Sequence, residues 1–303
     1  MFLLMLFMFF SASFLNAVEI ELTGGMNKMT FHPDRVTAHN QSVNFRQFQP
    51  YPFGTGDLII RGEFSDKLGF NTQISRDNIL WNSLYAKLTF NTDFVRAELG
   101  PFMNVTDDWI TGNREMPVFG AAGGIQFMYP GIVFLSLGGS SSIGSGFEQM
   151  NNNSRQTAQA ELGFWLSNMI PSFSASFKNY SRHTVNPANN NPVVVEDTQL
   201  RLQASFNFFA KNSPVTLRID GAYEILRRTY NAPFSNVTDE LSAFLAGLEL
   251  RWQVSRPLRI IAGFEIPVFY SAEDNMIRPG SIFDLYRFHG GIVYSFFPRR
   301  RGF

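Results

Sequence analysis

Charged side chains that recur at every second position of otherwise apolar segments are the residues best placed to do chemistry in this sequence. In the segment 215–225, Arg218, Asp220 and Glu224 share one parity and mostly aliphatic residues occupy the other. Successive side chains of a strand point to opposite faces of its sheet. The alternation therefore predicts strands with one charged and one apolar face, on which charges can attract or exclude ions.

The histidines and acidic pairs give little support for an enzyme or a metal site. A hydrolase needs a nucleophile beside a histidine and an orienting partner, and of the four histidines only His289 falls on a predicted strand. Calcium prefers carboxylate ligands, and the acidic pairs that could bind it are Asp107-Asp108, Asp239-Glu240 and Glu273-Asp274. Such pairs are typical of solvated loops, so we expect no enzymatic activity, no metal and no cofactor.

The composition excludes several other classes of protein. Outside the N-terminus there is no apolar run of about 20 residues, the length that a transmembrane helix requires. The absence of cysteine excludes disulfides, thiolate metal sites and a lipid-anchored cysteine. A net charge of +0 gives no basis for a nucleic-acid partner. The 33 scattered phenylalanines, together with many Asn, Ser and Gly residues, favour many short strands joined by turns.

Period-2 alternation predicts an all-β chain of about fourteen strands, with 12–16 possible. The segments lie near 18–26, 57–65, 68–75, 82–91, 94–103, 117–129, 132–142, 156–167, 172–181, 199–208, 215–225, 242–254, 257–270 and 285–297. Each is long enough to cross a membrane at a tilt, which takes about 9–11 residues.

The lengths of the connections distinguish a membrane barrel from a soluble sandwich. Long polar connections at 28–55, 104–116, 143–155, 182–196 and 227–241 are followed by tight turns at Ser65-Asp66-Lys67, Tyr129-Pro130-Gly131, Met169-Ile170-Pro171, Lys211-Asn212-Ser213 and Ser255-Arg256-Pro257. Short periplasmic turns and long external loops are typical of outer-membrane barrels. Only Arg76–Trp81, which should be external, is short. We predict a closed up-and-down antiparallel transmembrane barrel with both ends in the periplasm.

The charged faces of the strands would then line the interior of the barrel. The predicted lining residues are Glu19, Glu21, Arg61, Glu63, Lys87, Arg96, Glu98, Glu161, Lys178, Arg201, Arg218, Asp220, Glu224, Glu249, Arg251, Arg259, Glu265 and Arg287. Charges of both signs suit a hydrated lumen and predict weak ion selectivity. The alternative is that they pair across the interior and hold the barrel rigid, or even closed.

Aromatic residues fall where the descending strands should end at the periplasmic interface. The predicted girdle consists of Phe90, Tyr129, Phe208, Trp252 and Phe296, all on the apolar parity of their strands. Aromatic girdles flank the apolar band of outer-membrane barrels. The sequence therefore predicts contact with lipid at this level.

The last strand carries a resemblance to a known class of proteins. His289, Gly291, Tyr294 and Phe296 resemble the C-terminal assembly signal of bacterial outer-membrane proteins, from which the tail Pro298–Phe303 with its three arginines departs. The resemblance implies recognition by the barrel-assembly machinery and a location in the outer membrane of a diderm bacterium. By size the chain is similar to fourteen-strand porins and to hydrophobic-substrate transporters of the fatty-acid type. Its phenylalanine- and asparagine-rich composition also resembles that of spirochaete proteins.

Residues 1–17 have the apolar core and the small residues before a cleavage site that are typical of a secretory signal peptide. Residues 18–303 would then form the barrel domain. No Lys or Arg precedes Lys28, so a translation start upstream of Met1 and a buried N-terminal segment stay open.

The function that this sequence predicts is passive diffusion of small hydrophilic solutes through a charge-balanced lumen, by a monomer or homotrimer in outer-membrane lipid. A fatty-acid-type transporter for hydrophobic compounds is the alternative; it needs a plug, which only 28–55 could supply. A surface-exposed adhesin or structural barrel is the third possibility, since the Asn-rich segments 151–153 and 189–191 resemble exposed loops.

Overall fold

A computed structural model describes residues 17–29, 53–77, 79, 81–105, 117–142, 153–185, 192–210, 213–232, 235–272 and 285–296. Among these residues no helix is long and apolar enough to cross a membrane. The predicted signal peptide up to residue 16 and most of the 28–55 stretch lie outside the described residues. The same holds for the pairs Asp107-Asp108 and Glu273-Asp274.

The described residues form fourteen strands, as the alternation predicts. They are β1 (Ala17–Asn27), β2 (Phe53–Glu63), β3 (Leu68–Asp77), β4 (Trp81–Asn91), β5 (Val95–Val105), β6 (Val118–Tyr129), β7 (Val133–Ser142), β8 (Ser154–Phe164), β9 (Met169–Val185), β10 (Pro192–Phe209), β11 (Val215–Ala232), β12 (Ser235–Gln253), β13 (Leu258–Ala272) and β14 (Arg287–Phe296). The prediction of an all-β fold is confirmed.

Each strand pairs antiparallel with its neighbours in sequence, and β1 pairs with β14 to close the barrel. The closing register runs from Val18 opposite Phe296 to Asn27 opposite Arg287. Closure leaves no unpaired strand edge, which a chain in hydrocarbon requires because lipid cannot satisfy free backbone groups. Both ends of the strand array lie on the side of the short turns, called here the turn side; the opposite side is the loop side.

Four consecutive strands are the longest of the barrel. β9 to β12 have 17, 18, 18 and 19 residues, β13 has 15, and the other nine have 10 to 12. These long strands form a wall that extends on the loop side. The predicted long loops at 182–196 and 227–241 are therefore wrong, since most of both segments is paired strand.

Three further assignments change with the longer strands. His183 lies on β9, and Asp239-Glu240 lies on β12 rather than in a solvated loop. The turn predicted at 169–171 lies at 165–168 instead. Backbone pairing needs no apolar face, so strands continue where the apolar alternation that predicted them has ended.

The outer surface of the barrel is an apolar belt. Side chains of the apolar parity are exposed, among them Leu88 (62%), Leu99 (68%) and Val268 (63%). The predicted girdle residues Phe90, Tyr129, Phe208, Trp252 and Phe296 are also exposed and lie at the turn-side ends of their strands. A continuous apolar surface of this kind is compatible with lipid and not with water.

Two adjacent glycines in the closing strand have different surroundings. A Cβ atom on Gly291 would lie 2.4 Å from the carbonyl oxygen of Leu22 and 2.9 Å from the Cα of Thr23; on Gly290 the nearest atom would be the carbonyl oxygen of Ile261, at 3.7 Å. Because backbone atoms at the closing seam cannot move aside cheaply, we expect Gly291→Ala to lower the fraction of chain that refolds.

Gly290→Ala is the matched control for this prediction, since both substitutions remove a similar amount of freedom from the unfolded chain. It should refold like the unaltered protein. The measurement is the fraction of heat-modifiable barrel on a gel after refolding. Equal fractions for the two variants would show that the seam tolerates the added methyl group.

Candidate functional site

The predicted lining residues lie on the strand faces opposite the apolar belt. Most of them form ion pairs with other charged side chains of the interior: Arg61, Lys87, Glu98, Lys178, Arg201, Arg218, Asp220, Glu224, Glu249, Arg251, Glu265 and Arg287. Glu63, Arg96, Glu161 and Arg259 share the inward parity of their strands. The pairing favours the alternative in which charges hold the interior together, and the surroundings of the pairs differ along the barrel.

On the turn side the ion pairs are partly exposed. Arg61 Nη1 lies 2.7 Å from Glu19 Oε1 and 3.1 Å from Glu21 Oε2, with 35%, 34% and 22% of the three side chains exposed. On β12, Glu249 accepts from Arg251 at 2.6 Å and contacts His289 Nε2 at 2.9 Å. Partly exposed pairs of this kind are screened by water and contribute little to stability. This end of the interior therefore presents solvent-accessible charges of both signs.

His289 also belongs to the predicted assembly signal, whose residues all lie on β14. Tyr294 and Phe296 of that signal point to the apolar belt, with ring centroids 4.7 Å apart. The structure therefore brings His289 into the interior next to a carboxylate and keeps the two aromatic residues on the lipid side. Recognition of these residues by an assembly machinery stays a prediction.

Four charged residues from four strands form a closed ion-pair cluster deeper in the interior, called here the tetrad. Arg201 Nη1 lies 3.0 Å from Glu224 Oε2 and 3.0 Å from Glu265 Oε2. Arg287 Nη1 lies 2.7 Å from Glu224 Oε2 and 3.4 Å from Glu265 Oε2. The Glu224 side chain is fully buried, and the others are 14–17% exposed. Two positive and two negative charges cancel, so the tetrad is a neutral, rigid crosslink.

The tetrad spans β12, whose inward-facing residues at this level are Ala243, Leu245 and Gly247. Ala243 is the register partner of Glu224, and Gly247 is the register partner of Glu265. A Cβ atom on Gly247 would lie 3.1 Å from the Cγ of Glu265, so a larger side chain there would crowd the tetrad. Sequence periodicity places the four charges on one face, but the contacts between them depend on this local shape.

The short β3–β4 connection extends across the interior. Asp77, the last residue of β3, forms an ion pair with Lys178 of β9, although β4 to β8 separate these strands along the barrel wall. Asp77 Oδ1 also accepts a hydrogen bond of 2.8 Å from the Ile79 backbone N–H, which folds the connection. Ile79 is 2% exposed. The described residues Asp77 and Ile79 of the connection that breaks the predicted alternation of loop lengths therefore contact the opposite wall.

Ile79 belongs to an apolar cluster that fills part of the interior on the loop side. The described members are Met29, Phe53, Ile79, Tyr180, Ala222, Leu226, Leu241, Ala243, Leu245 and Leu285, with Tyr270 packed against them. The sequence analysis missed this cluster. One signal was available: Leu226, Leu241 and Leu245 fall on the otherwise polar parity of β11 and β12.

A row of polar side chains crosses the inner face of the wall in strict register. Arg155, Tyr180, Asp197, Arg228 and Asp239 are successive cross-strand partners from β8 to β12, and each is at most 2% exposed. Arg228 binds Asp197 with two parallel hydrogen bonds, that from Nη2 to Oδ2 being 2.8 Å. We call this set the buried row. Arg155, Arg228 and Asp239 lie in segments predicted to be loops, and Asp197 lies between a predicted loop and a predicted strand, so sequence reasoning could not place them together.

Comparison with known proteins identifies the fold. No protein-family model and no curated protein matches the sequence. An outer membrane channel from Pseudomonas putida F1 is similar, with a TM-score of 0.51 and 8% identity over 92% of this chain and 95% of that one. OmpT, an outer membrane protein of Vibrio cholerae, has a TM-score of 0.44 and 8% identity; the match covers 93% of this chain and 97% of OmpT. A bacterial polysaccharide outer membrane secretin has a TM-score of 0.43 and 11% identity; the match covers 93% of this chain and 98% of the secretin.

The closed barrel and its apolar belt are those of an outer-membrane protein, and the predictions of this fold and location are confirmed. At 8% identity, the likeness to the Pseudomonas barrel concerns the fold alone. The class is therefore the closed outer-membrane type of β-barrel. Its function has to be argued from its interior.

Proposed function

We propose that this barrel is a passive channel for small hydrophilic solutes, with the turn-side half of its interior as a hydrated vestibule. The observation that carries the proposal is the partly exposed set of ion pairs around Arg61 and Glu249. Charges of both signs at one level favour neither cations nor anions strongly. A function of this kind needs outer-membrane lipid and the barrel-assembly machinery as partners, and it suits a monomer or a homotrimer.

On the loop side the interior is packed rather than hydrated. The apolar cluster, the tetrad and the Asp77–Lys178 pair lie on the route between the vestibule and the outside. Such packing restricts passage to molecules small enough to move beside it, or to times when the β3–β4 connection moves. We therefore infer a narrow, gated channel instead of a wide open pore.

The apolar cluster is also the specific observation that favours a second function, uptake of hydrophobic compounds. Met29 and Phe53, which lie just inside the two ends of the 28–55 stretch predicted as a possible plug, are 1% and 6% exposed and belong to the cluster. An apolar interior surface is where a hydrophobic ligand would bind. Binding of a fluorescent fatty acid by a non-conducting barrel would favour this second function over the first.

Single-channel recording of the refolded chain in a planar bilayer tests the proposal. We expect ohmic openings with a slight ion preference, and Arg61→Glu should shift the reversal potential toward cations because it adds an acid beside Glu19 and Glu21. Lys67→Glu is the control, since Lys67 lies exposed in a turn at the same end. A folded barrel without conductance, or equal shifts in the two variants, would contradict the proposal.

A further inference from the structure

Arg182 lies on the inner face of β9, two residues from Tyr180 of the buried row in the direction of the loop side. It is 7% exposed, and its Nε and Nη2 atoms are buried with no hydrogen-bond partner among the described residues. A guanidinium stays charged in proteins. A buried charge is costly unless it is paired. The position of Arg182 therefore requires an explanation that packing does not supply.

Two other arginines of the same wall show what this edge of the side chain binds. Arg228 uses Nε and Nη2 to hold both oxygens of Asp197. Arg227 uses the same two nitrogens to hold Glu240, at 2.8 and 2.5 Å. The Nε–Nη2 edge is a rigid fork that matches the two oxygens of a carboxylate or phosphate. In Arg182 the corresponding fork is empty.

The described neighbours of Arg182 do not neutralise it. Its register partner on β10 is Val195, which is fully buried. The centroid of the Tyr180 ring lies 5.9 Å from the Cζ of Arg182 and 3.1 Å from that of Arg155. The nearby carboxylate of Asp197 has both oxygens engaged by Arg228. Among the described residues, therefore, no carboxylate fills the Arg182 fork.

We propose that the Arg182 fork binds the oxyanion, carboxylate or phosphate, of a small anionic solute on the loop side of the barrel. This gives the proposed channel a substrate class, small organic acids or phosphorylated solutes, and to that extent it rests on the proposed function. The site itself does not depend on conduction. Both nitrogens are buried, so an anion reaches them only after neighbouring side chains move, and binding should be slow.

Calorimetric titration of the refolded full chain in detergent, with acetate and with inorganic phosphate as probes, tests the site. We expect saturable binding of at least one probe, weakened about tenfold or more in Arg182→Gln, since hydrogen bonds to charged groups are lost. Arg182→Lys keeps the charge without the fork and should also bind more weakly. Arg227→Gln, which alters an arginine that is exposed and already paired, should bind like the unaltered chain. No saturable binding, or equal binding by Arg182→Gln, overturns the proposal.

Thermal unfolding gives a second readout. It distinguishes a variant that has lost the anion site from a variant that fails to bind because it is misfolded. Arg182→Met removes an unpartnered buried charge, so without anions its barrel should be at least as heat-stable as the unaltered one. Added anion should raise the unfolding temperature of the unaltered chain and leave that of Arg182→Met unchanged. A marked loss of stability in Arg182→Met would identify a structural role instead. Binding without conductance would leave the site standing and remove the channel; conductance without binding would do the reverse.

Discussion

Replacing Arg228 by methionine is expected to destabilise the barrel by about 3–5 kcal/mol, because it leaves the buried carboxylate of Asp197 without its partner. The same replacement at the adjacent Arg227 should cost less than about 1 kcal/mol, since that side chain is 55% exposed and its ion pair with Glu240 is screened by water. Because both residues are arginines, the difference between the two losses of stability measures the effect of burying the ion pair, not the effect of removing a positive charge.

The measurement is urea-induced unfolding of the refolded barrel, followed by the shift between its compact and unfolded bands on a gel. The double variant Arg228→Met/Asp197→Leu removes both buried charges and should recover much of the lost stability. Similar midpoints for the Arg228 and Arg227 single variants would mean that the buried row contributes nothing specific to the wall.

Breaking the ion pair between Asp77 and Lys178 is expected to increase the open population of the channel roughly tenfold. This contact and the packing of Ile79 hold the described part of the β3–β4 connection to the opposite wall. Either Asp77→Asn or Lys178→Gln should therefore give longer openings in a planar bilayer. The charge exchange Asp77→Lys/Lys178→Asp restores the pair and should return the brief openings.

Asp57→Asn is the matched control for this experiment. It makes the same chemical change on the inner face of β2, where the carboxylate accepts hydrogen bonds from Gln73 and Ser75 of the neighbouring strand. Open times should stay as in the unaltered chain. If Asp57→Asn lengthens the openings as much as Asp77→Asn, general loss of lumen charge, not release of the connection, controls gating.

The number of strands, their order and their two faces could be predicted from the sequence. Segments such as 215–225 alternate strictly because a lipid-facing side chain must be apolar and its neighbour on the other face is free to be charged. Tight turns at 65–67 and 255–257 indicate which ends meet on the periplasmic side. The alternation and the tight turns are both local features of the sequence, so they can be recognised without knowing which strands pair.

The tertiary structure alone decided which inward side chains meet. Arg155 and Arg228 lie in segments predicted to be loops and Asp197 lies just before a predicted strand, yet register aligns the three across the wall. Asp77 meets Lys178 across the interior although 101 residues separate them. Periodicity specifies the face on which a side chain lies, because that depends on its own backbone. Its partner depends on strand register, barrel curvature and the path of a connection, which arise only when distant strands close around one another.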